Sequence, residues 1–254
     1  MTSRERVLEA LCLRQPDRVP WVESNIHNAL VEKLLQRTDF EKAPVTHLFA
    51  TPGMRIPPAV LDVLAVDNLM FSITPPRFVR SEKRDGLDIV VDGLVKTKED
   101  LGKVILPDPD DDQFDQSAGE FVSRYRNSGK ALGATTRMGV SNTYLSMGIE
   151  HFSLMLYDRP DLVLELLDRF VEWACKAVAK INTLGFDFMI MPEDLAWKQG
   201  PMFSPKIIRD LFLPRMRKVA DRIKIPWIYH SDGNLMPILD DLLGLGMNGI
   251  ANLE

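Results

Sequence analysis

Short apolar runs alternate with segments of helical periodicity along this chain, and the alternation limits its possible folds more than any other feature. Six runs have the length and composition of buried strands: 19–23, 67–73, 131–136, 186–191, 226–229 and 249–253. The clearest helical segment begins at Pro160 and ends before Gly185, with apolar residues at intervals of three and four. Strands that are apolar throughout and separated by helices predict a parallel sheet buried on both faces.

Shorter periodic stretches and turn residues predict the remaining elements. We expect further helices that begin at Ser3 and near Phe114, and helices over 28–35, 57–64, 204–223 and 235–245. Alternating apolar residues within 78–96, interrupted by Gly86 and Gly93, predict a small antiparallel excursion. The helices fall between the predicted strands, as the crossover connections of a parallel sheet require.

Six strands are fewer than the eight that close a (β/α)8, or TIM, barrel. No helix follows the final predicted strand, 249–253, to cover its outer face. We therefore expect an α/β fold of the TIM-barrel type, truncated after about six strands and lacking about two βα units. Residues 1–254 would form one such domain, with a helical lead-in over residues 1–18. The alternative is an open, doubly wound sheet, but the sequence contains no G-x-G-x-x-G turn to favour it.

Composition excludes several classes of protein. The chain has 31 Lys and Arg against 36 Asp and Glu, and its net charge of −5 argues against nucleic-acid binding. Two cysteines far apart in sequence, Cys12 and Cys175, are typical of free thiols in a reducing compartment, so we expect a cytoplasmic protein. The sequence shows neither a signal peptide nor an apolar run long enough to span a bilayer.

Polar and ionisable residues follow the predicted strands at their carboxyl ends, where barrels of parallel strands place their active sites. The candidates are Glu23, Arg137, Glu193, Asp194, Tyr229, His230, Asp232 and Glu254. Any one of these residues could equally well be an ordinary loop residue. Their recurrence at the carboxyl ends of several strands favours an active site. Glu23, Arg137 and Tyr229 are predicted to bind substrate.

A metal centre is the sharpest hypothesis among these residues. His230 ends a buried strand and Asp232 lies two residues beyond it, so both side chains can face the same side. Glu254 follows the next strand and completes a possible set of one nitrogen and two carboxylate ligands, which is acceptable for zinc. The alternative is a hydrogen-bonded His230–Asp232 pair that binds a polar group of the substrate without metal.

Glu193 and Asp194 are the candidate catalytic residues. Adjacent side chains on an extended backbone point to opposite sides, so only one of the two carboxylates can point into the site. That one is predicted to act as a base or to anchor the substrate.

Several segments resemble the uroporphyrinogen decarboxylase superfamily. They are 3–7 with 16–20, 147–150 with 157–160, 193–198 with 200–205, and His230-Ser231-Asp232-Gly233-Asn234. The resemblance extends over the whole chain and implies a TIM barrel whose usual length runs well past residue 254.

Within that superfamily the resemblance favours methyltransferases that work with corrinoid proteins over porphyrinogen decarboxylases. Decarboxylases carry Arg-Gln-Ala-Gly-Arg after the first strand and an Asp after Phe-Ser at the end of the second. Here Glu23-Ser24-Asn25-Ile26-His27 stands in the first place, and Ile73 follows Phe71-Ser72 in the second. Without such an arginine set, the carboxylates of a tetrapyrrole would be poorly paired.

The methyltransferase branch implies zinc held by a His-x-Cys pair, in related synthases a Glu after the next strand, and a later Cys. His230 and Glu254 match the histidine and the glutamate, whereas Asp232 stands at the cysteine position. Carboxylate oxygen makes the metal a harder Lewis acid, suited to activating an oxygen- or nitrogen-bound methyl group.

The resemblance therefore implies a zinc-dependent methyltransferase that moves a methyl group between a small molecule and a corrinoid carried by a partner protein. Glu193 and Asp194 would orient the methyl donor or acceptor. Two alternatives stay open: a metal-free decarboxylase acting on a tetrapyrrole or another carboxylated substrate, and a non-catalytic barrel fragment.

Overall fold

The computed structural model describes residues 1–43, 53–84 and 87–252. Its α-helices are α1 (Ser3–Leu11), α2 (Asn28–Leu35), α3 (Lys98–Leu101), α4 (Asp112–Tyr125), α5 (Val140–Met147), α6 (Ile149–Asp158), α7 (Pro160–Ile181), α8 (Pro205–Ile207), α9 (Leu213–Ala220) and α10 (Leu239–Leu243). Its strands are β1 (Gly53–Met54), β2 (Asn68–Ser72), β3 (Val79–Arg84), β4 (Leu87–Gly93), β5 (Ala131–Thr135), β6 (Phe188–Pro192), β7 (Ala196–Trp197), β8 (Gly200–Pro201), β9 (Trp227–His230) and β10 (Gly249–Ala251).

Within the described residues, the main sheet has six strands in the order β1-β2-β5-β6-β9-β10. Strand β1 pairs antiparallel with β2, and every other pairing in this sheet is parallel. The α/β fold with a mainly parallel sheet is therefore confirmed. In the described part of the chain β1 does not pair with β10, so the sheet is open there. The truncated barrel stays a prediction.

Five of the six predicted strands lie in the main sheet, but the prediction of a strand over 19–23 is wrong. Side chains of β2 hold this segment instead: Asn68 accepts from Glu23 N at 2.9 Å and donates to Glu23 O at 2.8 Å. Trp21 N donates to the Asp67 carboxylate, and Asp67 N donates to Trp21 O. Pro20 has no N–H to give to a ladder, and β1 takes the position beside β2.

Among the other elements, the antiparallel excursion was predicted correctly, whereas the helix over 57–64 was not. The antiparallel excursion is the β3–β4 hairpin, and a 3-10 turn, Pro58–Asp62, replaces the helix over 57–64. A π-helical segment, Ile208–Phe212, joins α8 to α9. No helix in the described ranges is long and apolar enough to cross a membrane.

Strand register assigns the side chains to two faces of the sheet. A Cβ added to Gly133 would lie 2.2 Å from Met70 Sδ and 2.6 Å from Phe188 Cζ, so these three residues share one face, here called the inner face. Phe71, on the opposite face, packs against Phe121 of α4 with ring centroids 5.1 Å apart. Extending this alternation two residues past the end of β5 assigns Arg137 to the inner face at the carboxyl end.

A candidate metal centre at the carboxyl end of the sheet

Three potential metal ligands meet where β6 and β9 end. His230 Nε2 lies 3.7 Å from Asp194 Oδ1 and 3.9 Å from Asp232 Oδ1. One ligand atom from each residue lies within 4.8 Å of the other two. The side chains are 25% exposed for His230, 35% for Asp194 and 59% for Asp232, so the cluster opens to solvent.

Pairing between the two parallel strands brings these residues together. Pro192 at the end of β6 lies opposite His230 at the end of β9, and Glu193 N continues the ladder by donating to His230 O at 2.8 Å. Asp194 then follows by two residues on the same side as Pro192. Asp232 N donates to Asp194 Oδ1 at 3.3 Å, which ties the two loops to each other.

Ser231 and Asn252 fix the loop that carries Asp232. The Ser231 hydroxyl is fully buried, accepts from Leu195 N at 3.1 Å and donates to Asp232 O at 2.9 Å. Asn252, directly after β10, donates to Asp232 Oδ1 at 2.8 Å. The loop backbone is therefore held on the β6 side through Leu195 and Ser231, and the Asp232 carboxylate is oriented from the β10 side by Asn252.

Gly233 allows the loop to pass close to the β7–β8 ribbon. Its φ is +84°, and an added Cβ would lie 2.5 Å from the Trp197 carbonyl carbon. Asn234 N donates to Trp197 O at 2.9 Å at the same crossing. A side chain at position 233 would be strained and would also overlap the backbone of Trp197.

Glu193 points away from this cluster and is fully buried. Its carboxylate accepts three backbone N–H groups at the start of α5: Met138 at 2.5 Å, Gly139 at 2.8 Å and Ser141 at 2.7 Å. Burial raises the pKa of Glu193, while the charge of Arg137 and these hydrogen bonds act to lower it. The structure thus places Glu193 as the anion at a helix N-terminus, behind the cluster.

Tyr229 also lies behind the cluster. It is fully buried on the face opposite His230, and its hydroxyl donates to Glu193 O at 2.8 Å. Burial, and then the charge of Glu193, raises the pKa of Tyr229. This residue supports the turn after β6 and does not meet the predicted ligands.

The remaining predicted site residues lie in different places. Arg137 is 6% exposed, and its Nη1 donates to Ser141 Oγ at 2.7 Å and to Pro192 O at 3.2 Å. Glu23 accepts from Trp21 Nε1 beside β2, three strands away from His230. Glu254 falls outside the described residues.

The donor set of the cluster fits a divalent metal. One imidazole nitrogen and two carboxylate oxygens are ligands that zinc accepts, and three protein ligands with an open position are typical of catalytic zinc sites. The sequence placed Asp194 at the site as a catalytic group, and the structure places it among the possible ligands. Asp194 reaches the other two ligands because β6 and β9 are adjacent in the sheet, and the local sequence does not predict that adjacency.

Comparison with known proteins agrees with this architecture. The family model for uroporphyrinogen decarboxylase (URO-D) matches residues 89–252. The chain belongs to the uroporphyrinogen decarboxylase family.

A solved structure supports the same fold over the rest of the chain. The URO-D family chain resembles a methyltransferase from Methanosarcina mazei with a TM-score of 0.71 and 16% sequence identity. The similarity covers 99% of this chain and 76% of that one, so it includes the segments that lie before residue 89. No curated protein matches the sequence.

Arginines are the residues of this URO-D family chain that sequence reasoning missed. Arg55, directly after β1, is 6% exposed, and its Nη2 lies 3.3 Å from Ser72 Oγ. Burial, and then the like charge of Arg137, lowers the pKa of Arg55 to about 10. The same two causes lower the pKa of Arg77 to about 9. Neither residue follows a predicted strand directly, so position along the sequence gave no signal.

Proposed function

We propose that this chain is a metal-dependent methyltransferase that moves a methyl group between a small molecule and a corrinoid carried by a partner protein. The observation that carries the proposal is the meeting of Asp194, His230 and Asp232 at the carboxyl end of the sheet. Membership of the URO-D family and the fold shared with a methyltransferase support it.

The donor atoms favour activation of an oxygen- or nitrogen-bound methyl group. Zinc, when bound, would supply Lewis acidity at the oxygen or nitrogen atom that carries the methyl group. The corrinoid cobalt would take the methyl group from that atom or give it to that atom. The negative charges of the two carboxylates would balance the positive charge of a divalent cation. Because the three side chains are partly exposed, a substrate and a partner protein could approach the metal centre from the solvent side.

The chain's own residues would orient the reacting groups. Asn252 and Ser231 hold the Asp232 loop, and the buried Tyr229 and Glu193 hold the turn that presents Asp194. Such supporting groups are worth about 10–100-fold in metal affinity or activity. In this proposal Glu193 contributes by positioning and does not touch the substrate.

Methyl transfer to and from free cobalamin tests the proposal without the partner protein. The full chain with zinc is mixed with cob(I)alamin and either methanol or 4-methoxybenzoate, and separately methylcobalamin is mixed with 2-mercaptoethanol. The absorbance spectrum reports formation or loss of methylcobalamin. We expect turnover in one direction, reduced by more than about 100-fold in His230→Ala, because that change removes a ligand itself.

His151→Ala is the matched control, since its Nε2 lies 3.0 Å from Lys96 O, on a different part of the chain. Equal turnover in the parent chain and in His230→Ala would contradict the proposal. Release of carbon dioxide from a porphyrinogen without methyl transfer would favour the decarboxylase alternative.

A further inference from the structure

The inner face of the sheet brings two buried arginines to the carboxyl end, beside the candidate metal centre. Arg55 N donates to Met70 O at 2.8 Å, so Arg55 lies opposite Met70 and shares its face. Arg137 continues the same face from Gly133, four residues earlier. Both side chains are 6% exposed.

Strand order fixes the distance of these arginines from the metal ligands. Arg137 Nη1 reaches Pro192 O at the end of the adjacent β6, and Pro192 lies opposite His230 on the next strand, β9. Strands are about 4.8 Å apart, so Arg137 and His230 start about 10 Å apart on one face. Arg55 reaches Ser72 at the end of β2, on the other side of Arg137.

Positive charge is concentrated at this end of the inner face. Arg77 follows β2 and is half-buried, and the like charge of Arg137 acts on both Arg55 and Arg77. The charges of Tyr144, Asp194 and Glu193 act on the pKa of Arg77 in the opposite direction. Arg137 thus repels the other two arginines away from water, and a bound anion would offset this repulsion.

A buried amide on α5 is a further polar group near the arginines, since it directly follows Ser141, which accepts from Arg137. Asn142 is fully buried, and within the described ranges neither its Nδ2 nor its Oδ1 makes a hydrogen bond. It lies one turn before Ser146 on α5, and Ser146 Oγ accepts from Phe78 N, next to Arg77. Residues four apart share a helix face, so Asn142 and Ser146 lie on the same side of α5.

We propose that Arg55 and Arg137, together with Arg77, bind the carboxylate of a small acidic substrate whose other end reaches Asp194, His230 and Asp232. This inference rests on the proposed function and names the substrate class for the same site. Guanidinium groups bind a planar carboxylate through two parallel hydrogen bonds. Since Arg137 Nη1 reaches Pro192 O on β6, one strand spacing of about 4.8 Å from β9, the gap suits a methoxy or N-methyl group carried on a short-chain or single-ring acid.

Binding of two acids and their neutral amides tests the inference. Methoxyacetate and 4-methoxybenzoate are titrated calorimetrically into the full chain after chelator treatment, and the two corresponding amides are titrated in parallel. At least one acid should bind, with a Kd at least about ten-fold below that of its amide, because only the carboxylate pairs with the arginines. Inorganic phosphate, the third probe, should bind more weakly than that acid.

Variants locate the binding. We expect the Kd of the acid to rise at least about ten-fold in both Arg55→Gln and Arg137→Gln, and to stay unchanged in Arg124→Gln. Arg124 is the matched control because it is exposed and pairs with Glu41, at the far end of α4 from this face. If Arg137→Gln does not fold, because Arg137 also holds Pro192 and Ser141, Arg55→Gln decides alone.

The outcomes separate this inference from the proposed function. Acid binding that is retained in His230→Ala and lost in Arg55→Gln supports the inference even if no methyl transfer occurs. The inference would be overturned if both acids failed to bind, or if acid and amide bound equally well. Tighter binding of phosphate than of the acid, or an unchanged Kd for the acid in Arg55→Gln, would also overturn it, whether or not methyl transfer is found.

Discussion

Glu193 and Asp194 are neighbours in sequence, but their carboxylates face different surroundings. The Glu193 carboxylate accepts three N–H groups at the start of α5, whereas Asp194 lies 3.7 Å from His230. Alternation along an extended backbone predicts that one of the two points away from the site. It does not say which one, because the choice depends on α5, a helix that apolar periodicity did not predict.

Replacing Glu193 with glutamine should weaken folding. The amide nitrogen of Gln would face backbone donors, which leaves a buried N–H group without an acceptor and costs about 1–3 kcal/mol. Urea unfolding measures the loss. Glu172→Gln, at an exposed position on α7, should leave the free energy of unfolding nearly unchanged. A fully stable Glu193→Gln would show that the carboxylate is not needed by α5.

Gly233 and Gly246 form a matched pair for testing the loop that carries Asp232. Both have positive φ, +84° and +86°, but only at Gly233 does an added Cβ meet backbone atoms, whereas none lies within 4 Å at Gly246. Gly246→Ala should therefore cost about 1–2 kcal/mol through conformation alone. Gly233→Ala should cost about 1–3 kcal/mol more through overlap with Trp197. Equal losses in thermal or urea unfolding would contradict the role of Gly233 in the close crossing.

At the scale of elements, a buried ion pair joins α1 to the beginning of β2. Asp67, fully buried, accepts from Arg6 Nη1 at 2.7 Å, Arg18 Nη2 at 2.9 Å and Trp21 N at 2.9 Å. Burial acts to raise the pKa of Asp67, but its hydrogen bonds and the charge of Arg18 lower it overall. The lead-in helix is thereby attached at the amino end of β2.

Removing the charge of Asp67 should loosen this attachment. Asp67→Asn removes one of the two carboxylates that pair with Arg6, since Asp17 still accepts from it at 2.6 and 2.9 Å, and should cost about 2 kcal/mol through the lost charged hydrogen bonds. Urea unfolding gives the change, and hydrogen exchange shows whether α1 opens first. Glu9→Gln, which breaks the exposed Glu9–Arg14 pair, should have a much smaller effect. Comparable losses in the two variants would contradict the account.

Elements were predictable where one pattern alone determines them. The apolar runs that become β2, β5, β6, β9 and β10 are strands of one sheet, fully buried in β2 and β5 and partly buried in β10. The run 19–23 failed because it is held by side chains of Asp67 and Asn68, and β1 was missed because two residues carry no periodicity. Helix α5 is buried on most sides although it contains Ser141, Asn142 and Thr143, so it has no polar face to recognise.

At the scale of the whole molecule, the candidate site depends on strand order, which a local pattern cannot supply. His230 and Asp232 could be paired from sequence because they lie two residues apart on one strand end. Asp194 joins them only because β6 pairs with β9, and Arg55 reaches the same face only because β1 pairs with β2. Glu254, the third predicted ligand, stays a prediction.

Zinc binding to the full chain tests the central claim, that Asp194, His230 and Asp232 hold one metal ion. Chelator-treated protein is equilibrated with zinc, and stoichiometry and Kd are measured by elemental analysis and calorimetry for the parent chain, His230→Ala, Asp194→Asn and the control His151→Ala. We expect one zinc per chain in the parent and the control, and a Kd more than about 100-fold higher in the other two variants. Absence of stoichiometric zinc from the parent, or unchanged binding in His230→Ala, would contradict the claim.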